Sequence, residues 1–202
     1  MALRKTIDLK TQDAVIENIK EHEPLRVWIC VKWLATDIKV RPSEMLSIIE
    51  KDIDQEHGIV LVRDTKEGHS KMFPLTDEDL SLVRRLPLAF NPETPFFRHD
   101  GRRGHTMSGG RFSRQMIWAA WKRACVRLGI EGVDLYGGTK HSTASGMRDF
   151  FTYEGVRKMT GHTTNKAFGR YIQLEGVALK SLYEAVGRAP NLITRKRDIR
   201  QG

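Results

Sequence analysis

The sequence predicts a mainly helical α+β domain that contains one small antiparallel β-sheet. Apolar residues recur at helical spacing through most of the chain, and only Gly58–Leu75 has runs of strand-forming residues on both sides of a turn. Alternating β–α units do not occur, which argues against a parallel sheet. The 202 residues are enough for one large domain, and no Gly-, Ser- or Pro-rich linker divides them.

The N-terminal part of the chain predicts three helices. Thr11 is predicted to cap a helix over Gln12–Glu23, which Pro24 ends. The next helix, Leu25–Thr36, is apolar on most sides, so we expect it to lie at the centre of the core. Pro42 is suited to the first turn of a short third helix.

The only strands are expected in the middle of the chain. Gly58–Val62 and Ser70–Leu75 predict two paired strands joined by a turn at Lys66–His69. Thr76, followed three residues later by Asp79, predicts the cap of a further helix.

Beyond this helix the pattern changes to a long loop and then returns to helices. Pro87–Gly110 is predicted to be mostly loop, and Phe112–Leu128 predicts a helix with Trp118 and Trp121 directed inward and Gly129 at its end. Later helices are predicted at Lys140–Phe151, Glu154–Thr160, Asn165–Leu174 and Val177–Gly187.

Composition excludes several classes of protein. Lys and Arg number 34 against 25 Asp and Glu, a net charge of +9, while 40% of residues are hydrophobic, as in ordinary globular chains. No apolar run approaches the roughly 18 residues that span a bilayer, and the N-terminus lacks the apolar core of a secretory signal. We therefore expect a cytoplasmic protein with no membrane partner. Cys30 and Cys125 are too few for a disulfide framework and are predicted to be buried thiols.

Metal and nucleotide sites are not indicated. The seven His have none of the spacings of zinc sites, and the glycine motifs that cradle phosphates are missing, so we expect no metal and no cofactor. The pairs Gly109–Gly110 and Gly137–Gly138 are predicted to be loop glycines. Basic residues concentrate in Arg98–Arg114, Trp121–Arg127 and Arg195–Arg200, which fits either a solvated surface or one that faces phosphates.

The most informative segment is Met159–Tyr171, with the sequence M-T-G-H-T-T-N-K-A-F-G-R-Y. His162 follows a glycine, and Tyr171 lies nine residues later, directly after an arginine. This segment resembles the end of the catalytic domain of tyrosine recombinases, the phage integrase family. Their catalytic domain ends with Gly-His-Ser/Thr-Ser/Thr, followed at this spacing by Arg-Tyr.

Three upstream segments extend the resemblance, in the order that the family has them. Thr36–Leu46 is similar to the family's first arginine box and puts Arg41 in the place of the first catalytic arginine. Asp64–Gly68, between the two predicted strands, is similar to the hairpin that carries the catalytic lysine, here Lys66. Lys140–Ser145 is similar to the second box.

The second box departs from the family pattern, which has His-x-x-Arg where this chain has Gly137 and Lys140. A lysine is a point charge on a flexible stem, whereas an arginine holds two phosphate oxygens in a planar fork. Arg148 is a poor substitute, because two helical turns displace it by roughly 10 Å. His141 is expected to be structural.

The resemblance implies a catalytic domain over residues 1–190 and a basic tail over 191–202, for which the composition allows disorder. It implies that DNA is cleaved and rejoined through a 3′-phosphotyrosyl intermediate without metal or ATP. The implied catalytic residues are Arg41, Lys66, Lys140, His162 and Tyr171, and the implied DNA-binding residues are Arg111, Arg114 and Arg170.

The implied partners are double-stranded DNA and further copies of the chain, expected as a tetramer on DNA. A separate N-terminal domain that clamps DNA is expected to be missing from this chain. Two alternatives stay open: a DNA-binding relative with impaired cleavage, and a relaxing enzyme like the type IB topoisomerases.

Overall fold

The structure is a computed structural model that describes residues 5–66, 68–101 and 109–147. Its helices are α1 Leu9–His22, α2 Leu25–Thr36, α3 Pro42–Ser47, α4 Asp77–Arg84, α5 Arg114–Arg127 and α6 Ser142–Met147. Its strands are β1 Ile53–Asp54, β2 Ile59–Val62 and β3 Lys71–Pro74. The described part of the chain thus confirms the mainly helical class with one antiparallel sheet. No helix in these ranges is long and apolar enough to cross a bilayer.

Helix α2 is central to the core, as its sequence predicts, and packs against α1, α3 and α5. Trp33 of α2 is almost fully buried among three phenylalanine rings, at centroid distances of 5.5 to 5.7 Å: Phe73, Phe96 and Phe97. Aromatic pairs in such edge and stacked arrangements add stability beyond the area that they bury. The sheet and the loop after α4 are therefore held on one face of α2.

The first helix begins earlier than its sequence pattern indicates. Asp8, and not Thr11, is the cap of α1: its carboxylate accepts hydrogen bonds from the Thr11 main-chain N–H at 2.8 Å and from the Thr11 hydroxyl at 3.0 Å. Both residues are good caps, and helix α1 begins at the earlier one because Leu9 is then buried on the core side. Pro24 lies between α1 and α2, at the N-cap of α2.

The sheet is a meander in the order β1-β2-β3, with Val60 opposite Phe73 in the predicted hairpin. Strand β1 was not predicted, because its two residues are too short to show a pattern. Thr76 caps α4 by accepting a hydrogen bond from the Asp79 main-chain N–H at 3.1 Å, as predicted.

Two buried arginines anchor the long loop after α4. The Arg26 guanidinium donates to both oxygens of Asp100 at 2.8 Å and to the carbonyls of Phe96 and Pro87, also at 2.8 Å. Arg98 is buried too and forms an ion pair with Glu50. The prediction that the whole basic run from Arg98 onward belongs to a phosphate-facing or solvated surface is therefore wrong for Arg98, which contributes to the interior of the loop.

Helix α5 contacts α1 and α2 mainly through small and apolar residues. Trp121 and Cys125 are buried as predicted, and Cys30 is buried in α2. Trp118 is 40% exposed, so its predicted inward direction is wrong. It lies three residues before Trp121, on the edge of the buried face.

The Gly137–Gly138 pair lies in a π-turn over Gly137–His141 and not in a loop. This turn runs directly into α6, so the helix predicted from Lys140 begins several residues earlier. A Cβ atom on Gly138 would lie 1.9 Å from Cζ2 of Trp121, so the packing against α5 requires glycine there. The part of that helix after Met147, and the three predicted helices that follow it, lie outside the described residues.

Candidate active site

Arg41 lies at the N-cap of α3, in the turn that follows α2. Pro42 fixes the first position of the helix, and Glu44 occupies the third. The Glu44 carboxylate accepts a hydrogen bond from the Arg41 main-chain N–H at 3.0 Å and one from its guanidinium at 3.1 Å. Main chain and side chain of Arg41 are thus held by one carboxylate, and about a third of its side chain stays exposed.

Glu44 is the hub of the site. Its carboxylate is 3% exposed and also accepts hydrogen bonds from the Lys71 ammonium at 2.8 Å and from the Lys66 main-chain N–H at 3.1 Å. Burial tends to raise the pKa of this carboxyl, but the hydrogen bonds from Lys71 and from the amides of Arg41 and Lys66 outweigh it. The pKa of Glu44 therefore lies below its ordinary value.

The hairpin between β2 and β3 carries Lys66 at its exposed tip. The turn closes through a hydrogen bond from the Gly68 main-chain N–H to the Thr65 carbonyl at 3.1 Å, with Gly68 at a φ of +75°. This positive φ suits glycine. The bond from the Lys66 amide to Glu44 joins the tip to α3, while the Lys66 side chain projects into solvent.

Lys140 lies in the π-turn and joins the same cluster. Burial lowers the pKa of its ammonium below the ordinary lysine value, and the positive charges of Lys71 and Arg41 lower it further. The carboxylates of Asp37 and Glu44 oppose the shift without reversing it. The three cations therefore interact electrostatically with one another at this side of the molecule. We call Arg41, Lys71 and Lys140, gathered near Glu44, the cation cluster.

The glycine that replaces the second-box histidine lies in a closed environment. A Cβ atom on Gly137 would lie 2.4 Å from the main-chain oxygen of Lys5. The segment before α1 is held there by two hydrogen bonds, from the Lys5 ammonium to the Glu131 carbonyl at 2.7 Å and from the Ile7 main-chain N–H to the Ser142 hydroxyl at 2.9 Å. An imidazole at position 137 therefore has no room in this arrangement.

The other predicted site residues are not brought to the cation cluster within the described ranges. Arg111 and Arg114 are exposed, one paired through its main chain with Arg98 and the other at the first position of α5. His162, Arg170 and Tyr171 lie outside the described residues, as does Arg148. Among the described residues no group of three or more His, Cys, Asp and Glu side chains has the geometry of a metal site.

Sequence reasoning missed the roles of two residues. Glu44 was noticed only as part of the arginine box, although an acidic residue at the third position of a helix is a recognised signal for a bond back to the cap. Lys71 gave no signal, because its partner Glu44 lies 27 residues away across a sheet and a turn. The cation cluster has three positive charges, and the nearby carboxylates of Glu44 and Asp37 have two negative charges. The excess of positive charge attracts an anion such as a phosphate diester.

Comparison with known proteins shows which family the sequence resembles. The profile of the phage integrase family matches residues 5–176. The tyrosine recombinase XerA of Saccharolobus solfataricus is 40% identical over 52 residues, which is 26% of this chain and 18% of the relative. The shufflon-specific DNA recombinase of Escherichia coli is 26% identical over 157 residues, 75% of this chain and 36% of the relative. The chain thus spans only a part of the length of each relative.

Solved structures show the same fold at low identity. The integrase of mycobacterium phage Brujita superposes with a TM-score of 0.62 at 12% identity, covering 93% of this chain and 58% of that one. The XerH recombinase, bound to its palindromic difH substrate in a post-cleavage complex, superposes with a TM-score of 0.60 at 17% identity, covering 90% and 53%. The family profile covers most of the sequence, and the chain therefore belongs to the phage integrase family of tyrosine recombinases.

Proposed function

We propose that the chain is the catalytic part of a site-specific DNA recombinase of a phage or mobile element. The observation that carries the proposal is that the buried Glu44 carboxylate binds both Arg41 and the Lys66 hairpin in a member of this family. Lys140 interacts electrostatically with the same group. One relative is named a shufflon-specific DNA recombinase, and the integrase of the Tn1549 transposon has been solved in complex with a circular intermediate DNA. Double-stranded DNA is accordingly the proposed substrate.

In the proposed reaction the phenol of Tyr171 loses its proton to water and its oxygen attacks the scissile phosphorus. A 3′-phosphotyrosyl bond forms, and the bond from phosphorus to the 5′ oxygen of the next nucleotide breaks. Lys66, exposed at the hairpin tip, gives a proton to that departing oxygen. A 5′ hydroxyl of a second strand then attacks the phosphotyrosine, releases Tyr171 and restores a phosphodiester. One phosphodiester-type bond replaces another at each step, so no ATP is consumed.

The cation cluster is proposed to stabilise the charge that develops on the non-bridging oxygens during attack. The Glu44 carboxylate holds the Arg41 guanidinium by one hydrogen bond and the Arg41 main-chain N–H by another before DNA arrives, so little reorganisation is needed when the charge appears. Lys140 supplies a second cation, and His162 is assigned a third contact. The lowered pKa of Glu44 keeps its carboxylate ionised and in place at neutral pH.

The wider assembly is also part of the proposal. We assign Arg111, Arg114 and Arg170 to contacts with the DNA backbone, which position a duplex without reading its sequence. The active assembly is proposed to be a tetramer on DNA, with residues 1–190 as catalytic domain and residues 191–202 as a basic tail. The protein is proposed to act in the cytoplasm.

A second candidate function, DNA binding without cleavage, is favoured by one observation. The closed packing at Gly137 leaves no room for the family's imidazole, and the neighbouring arginine position holds Lys140. If the remaining groups do not compensate, the chain binds its site without breaking it. Relaxation of supercoils without exchange of partners is the third possibility.

Covalent capture on DNA separates these functions. The protein, with every segment that its gene encodes, is incubated with a pool of nicked duplexes of randomised sequence, and adducts are recovered on denaturing gels. We expect an adduct that disappears in Tyr171→Phe and persists in Tyr183→Phe, a matched loss of one phenol elsewhere. Sequence-specific retention of duplexes with no adduct contradicts the recombinase and supports the binder. Relaxed plasmid without joined sites supports the topoisomerase-like function.

A further inference from the structure

A buried glutamine on α1 forms hydrogen bonds to the π-turn that carries Lys140. The Gln12 side chain is 4% exposed, and its Nε2 lies 2.7 Å from the Gly138 carbonyl oxygen and 3.0 Å from the Thr139 carbonyl oxygen. Carbonyl oxygens only accept, so the amide nitrogen and not the amide oxygen must face the turn. A π-turn departs from the regular helical ladder, and buried carbonyls there need donors from elsewhere. Gln12 is such a donor.

The same glutamine is linked to the end of α2 through Thr143. Thr143 Oγ1 lies 2.7 Å from the Ala35 carbonyl oxygen, 3.0 Å from Gln12 Nε2 and 3.2 Å from Gln12 Oε1. A hydroxyl has one proton, and Ala35 is its nearest acceptor, so Thr143 donates to Ala35 and accepts from Gln12. The two amide protons of Gln12 are thus shared among three acceptors. Thr143 itself is fully buried. A continuous chain of donors and acceptors therefore joins α1, the π-turn with α6, and the end of α2.

This hydrogen-bond network connects the turn that carries Lys140 with the turn that carries Arg41. Lys140 directly follows Thr139, whose carbonyl Gln12 contacts. Ala35 belongs to the last turn of α2, and the next segment of the chain is the turn that presents Arg41. Lys140 and Arg41 are otherwise separated by about half of the sequence. Buried and hydrogen-bonded links of this kind hold a geometry more tightly than apolar contacts alone.

We propose that Gln12 and Thr143 are positioning residues that hold the Lys140 turn in register with the Arg41 turn, so that both cations reach one DNA phosphate. The proposal rests on the recombinase function proposed above. Neither residue touches the substrate. Each acts through the turn that it holds. The ammonium of Lys140 lies at the end of a flexible side chain. The position of the Lys140 main chain therefore limits the region that the charge can reach.

The test compares substitutions that remove hydrogen bonds with substitutions that do not. Gln12→Met and Thr143→Val keep the approximate volume but lose the donors. Thr143→Ser keeps the hydroxyl. Val15→Ala shortens another fully buried side chain of α1, so it lowers stability but removes no hydrogen bond to the π-turn. The rate of covalent adduct formation is measured at saturating DNA on a nicked duplex from the covalent selection, and the Kd for the same duplex is measured separately.

We expect Gln12→Met and Thr143→Val to lower the saturating rate at least about tenfold, because small displacements of catalytic groups have large effects on rate. Their Kd values should change less than about threefold, and Val15→Ala and Thr143→Ser should stay within about threefold of the parent rate. Equal rates in Gln12→Met and Val15→Ala would overturn the proposal. If Gln12→Met does not fold, the Thr143→Val and Thr143→Ser pair decides by the same criterion.

A second readout does not depend on cleavage. The lysines are labelled by reductive methylation with carbon-13, and the Lys140 signal is assigned by its loss in Lys140→Arg. Gln12→Met should raise the pKa of Lys140 toward the ordinary lysine value, because the released turn lets the ammonium reach solvent, whereas Val15→Ala should leave it unchanged. An unchanged Lys140 pKa in Gln12→Met contradicts the positioning role. If the parent protein forms no adduct at all, the recombinase function fails, and this titration alone still decides whether Gln12 positions Lys140.

Discussion

The Glu44 carboxylate lies 3.1 Å from the main-chain nitrogen of Lys66, so one buried acid joins the Arg41 helix to the hairpin tip that carries the proposed proton donor. The same carboxylate bonds to Arg41 and Lys71. The relative position of the arginine box and the hairpin therefore depends on a single side chain. Its removal should affect stability and catalysis together.

Glu44→Gln should lower the free energy of unfolding by about 3 kcal/mol, because it leaves the partly buried Lys71 without its carboxylate. Urea unfolding measures the change. Glu78→Gln is the matched control, since Glu78 pairs with Lys32 at the surface and should contribute less than about 1 kcal/mol. Equal losses of unfolding free energy in the two variants would mean that Glu44 contributes no more to stability than an exposed ion pair.

The contribution of Glu44 should depend on pH in a defined direction. Its pKa is lower in the folded protein than in the unfolded chain, so ionisation favours folding above the unfolded value of about 4.3. This contribution is lost as the pH falls through the lower, folded pKa. The stability difference between the parent and Glu44→Gln should therefore be constant near neutral pH and shrink only below about pH 4. The pH range from about 7 to about 5 lies above the unfolded pKa. A stability difference that already decreases as the pH falls through this range would contradict the lowered pKa of Glu44.

Lys140→Arg should keep the rate of adduct formation equal to the parent rate or raise it, because arginine restores the planar fork found in the family's second box. Lys140→Met should lower the rate by about 10²-fold or more, as expected for the loss of one charge-stabilising donor. Single-turnover cleavage measures both. A large loss in Lys140→Arg would show that the second box has been assigned to the wrong residues.

Position 137 should not accept a side chain. Gly137→Ala should lose about 2 kcal/mol of stability, because its Cβ meets the Lys5 main chain at 2.4 Å. Gly101→Ala is the control, since no atom lies within 4 Å of the corresponding Cβ, and it should change stability by less than about 0.5 kcal/mol. Gly137→His should be destabilised as well and should not gain cleavage activity. A stable and faster Gly137→His would show that the missing imidazole can simply be restored.

The sequence predicted those parts of the fold that depend on local patterns. The buried α2, the hairpin, the Thr76 cap and the start of α3 at Pro42 all follow from residue patterns within a few positions, and each is confirmed. The start of α1 was wrong by three residues because two good caps stand close together and burial of Leu9 decides between them.

The parts that sequence did not predict depend on distant contacts. The π-turn at Gly137–His141 packs against Trp121 on one side and Gln12 on the other. Neither contact can be inferred from the spacing of apolar residues near the turn. The burial of Arg98 likewise requires Glu50, far away in the chain. For the site, the resemblance indicated Arg41 and Lys140 as members of one cluster, which the structure brings together, whereas Lys71 entered only through its bond to Glu44.

The most direct test concerns the charge on the scissile phosphate. Replacing one non-bridging oxygen by a methyl group gives a neutral methylphosphonate, which no longer needs cations around it. On an ordinary phosphate, Arg41→Ala should form adducts about 10²-fold to 10³-fold more slowly than the parent. On the methylphosphonate it should recover to nearly the parent rate, while Tyr171→Phe stays inactive on both. An Arg41→Ala variant that is equally impaired on the neutral linkage would contradict the role of Arg41 in neutralising phosphate charge.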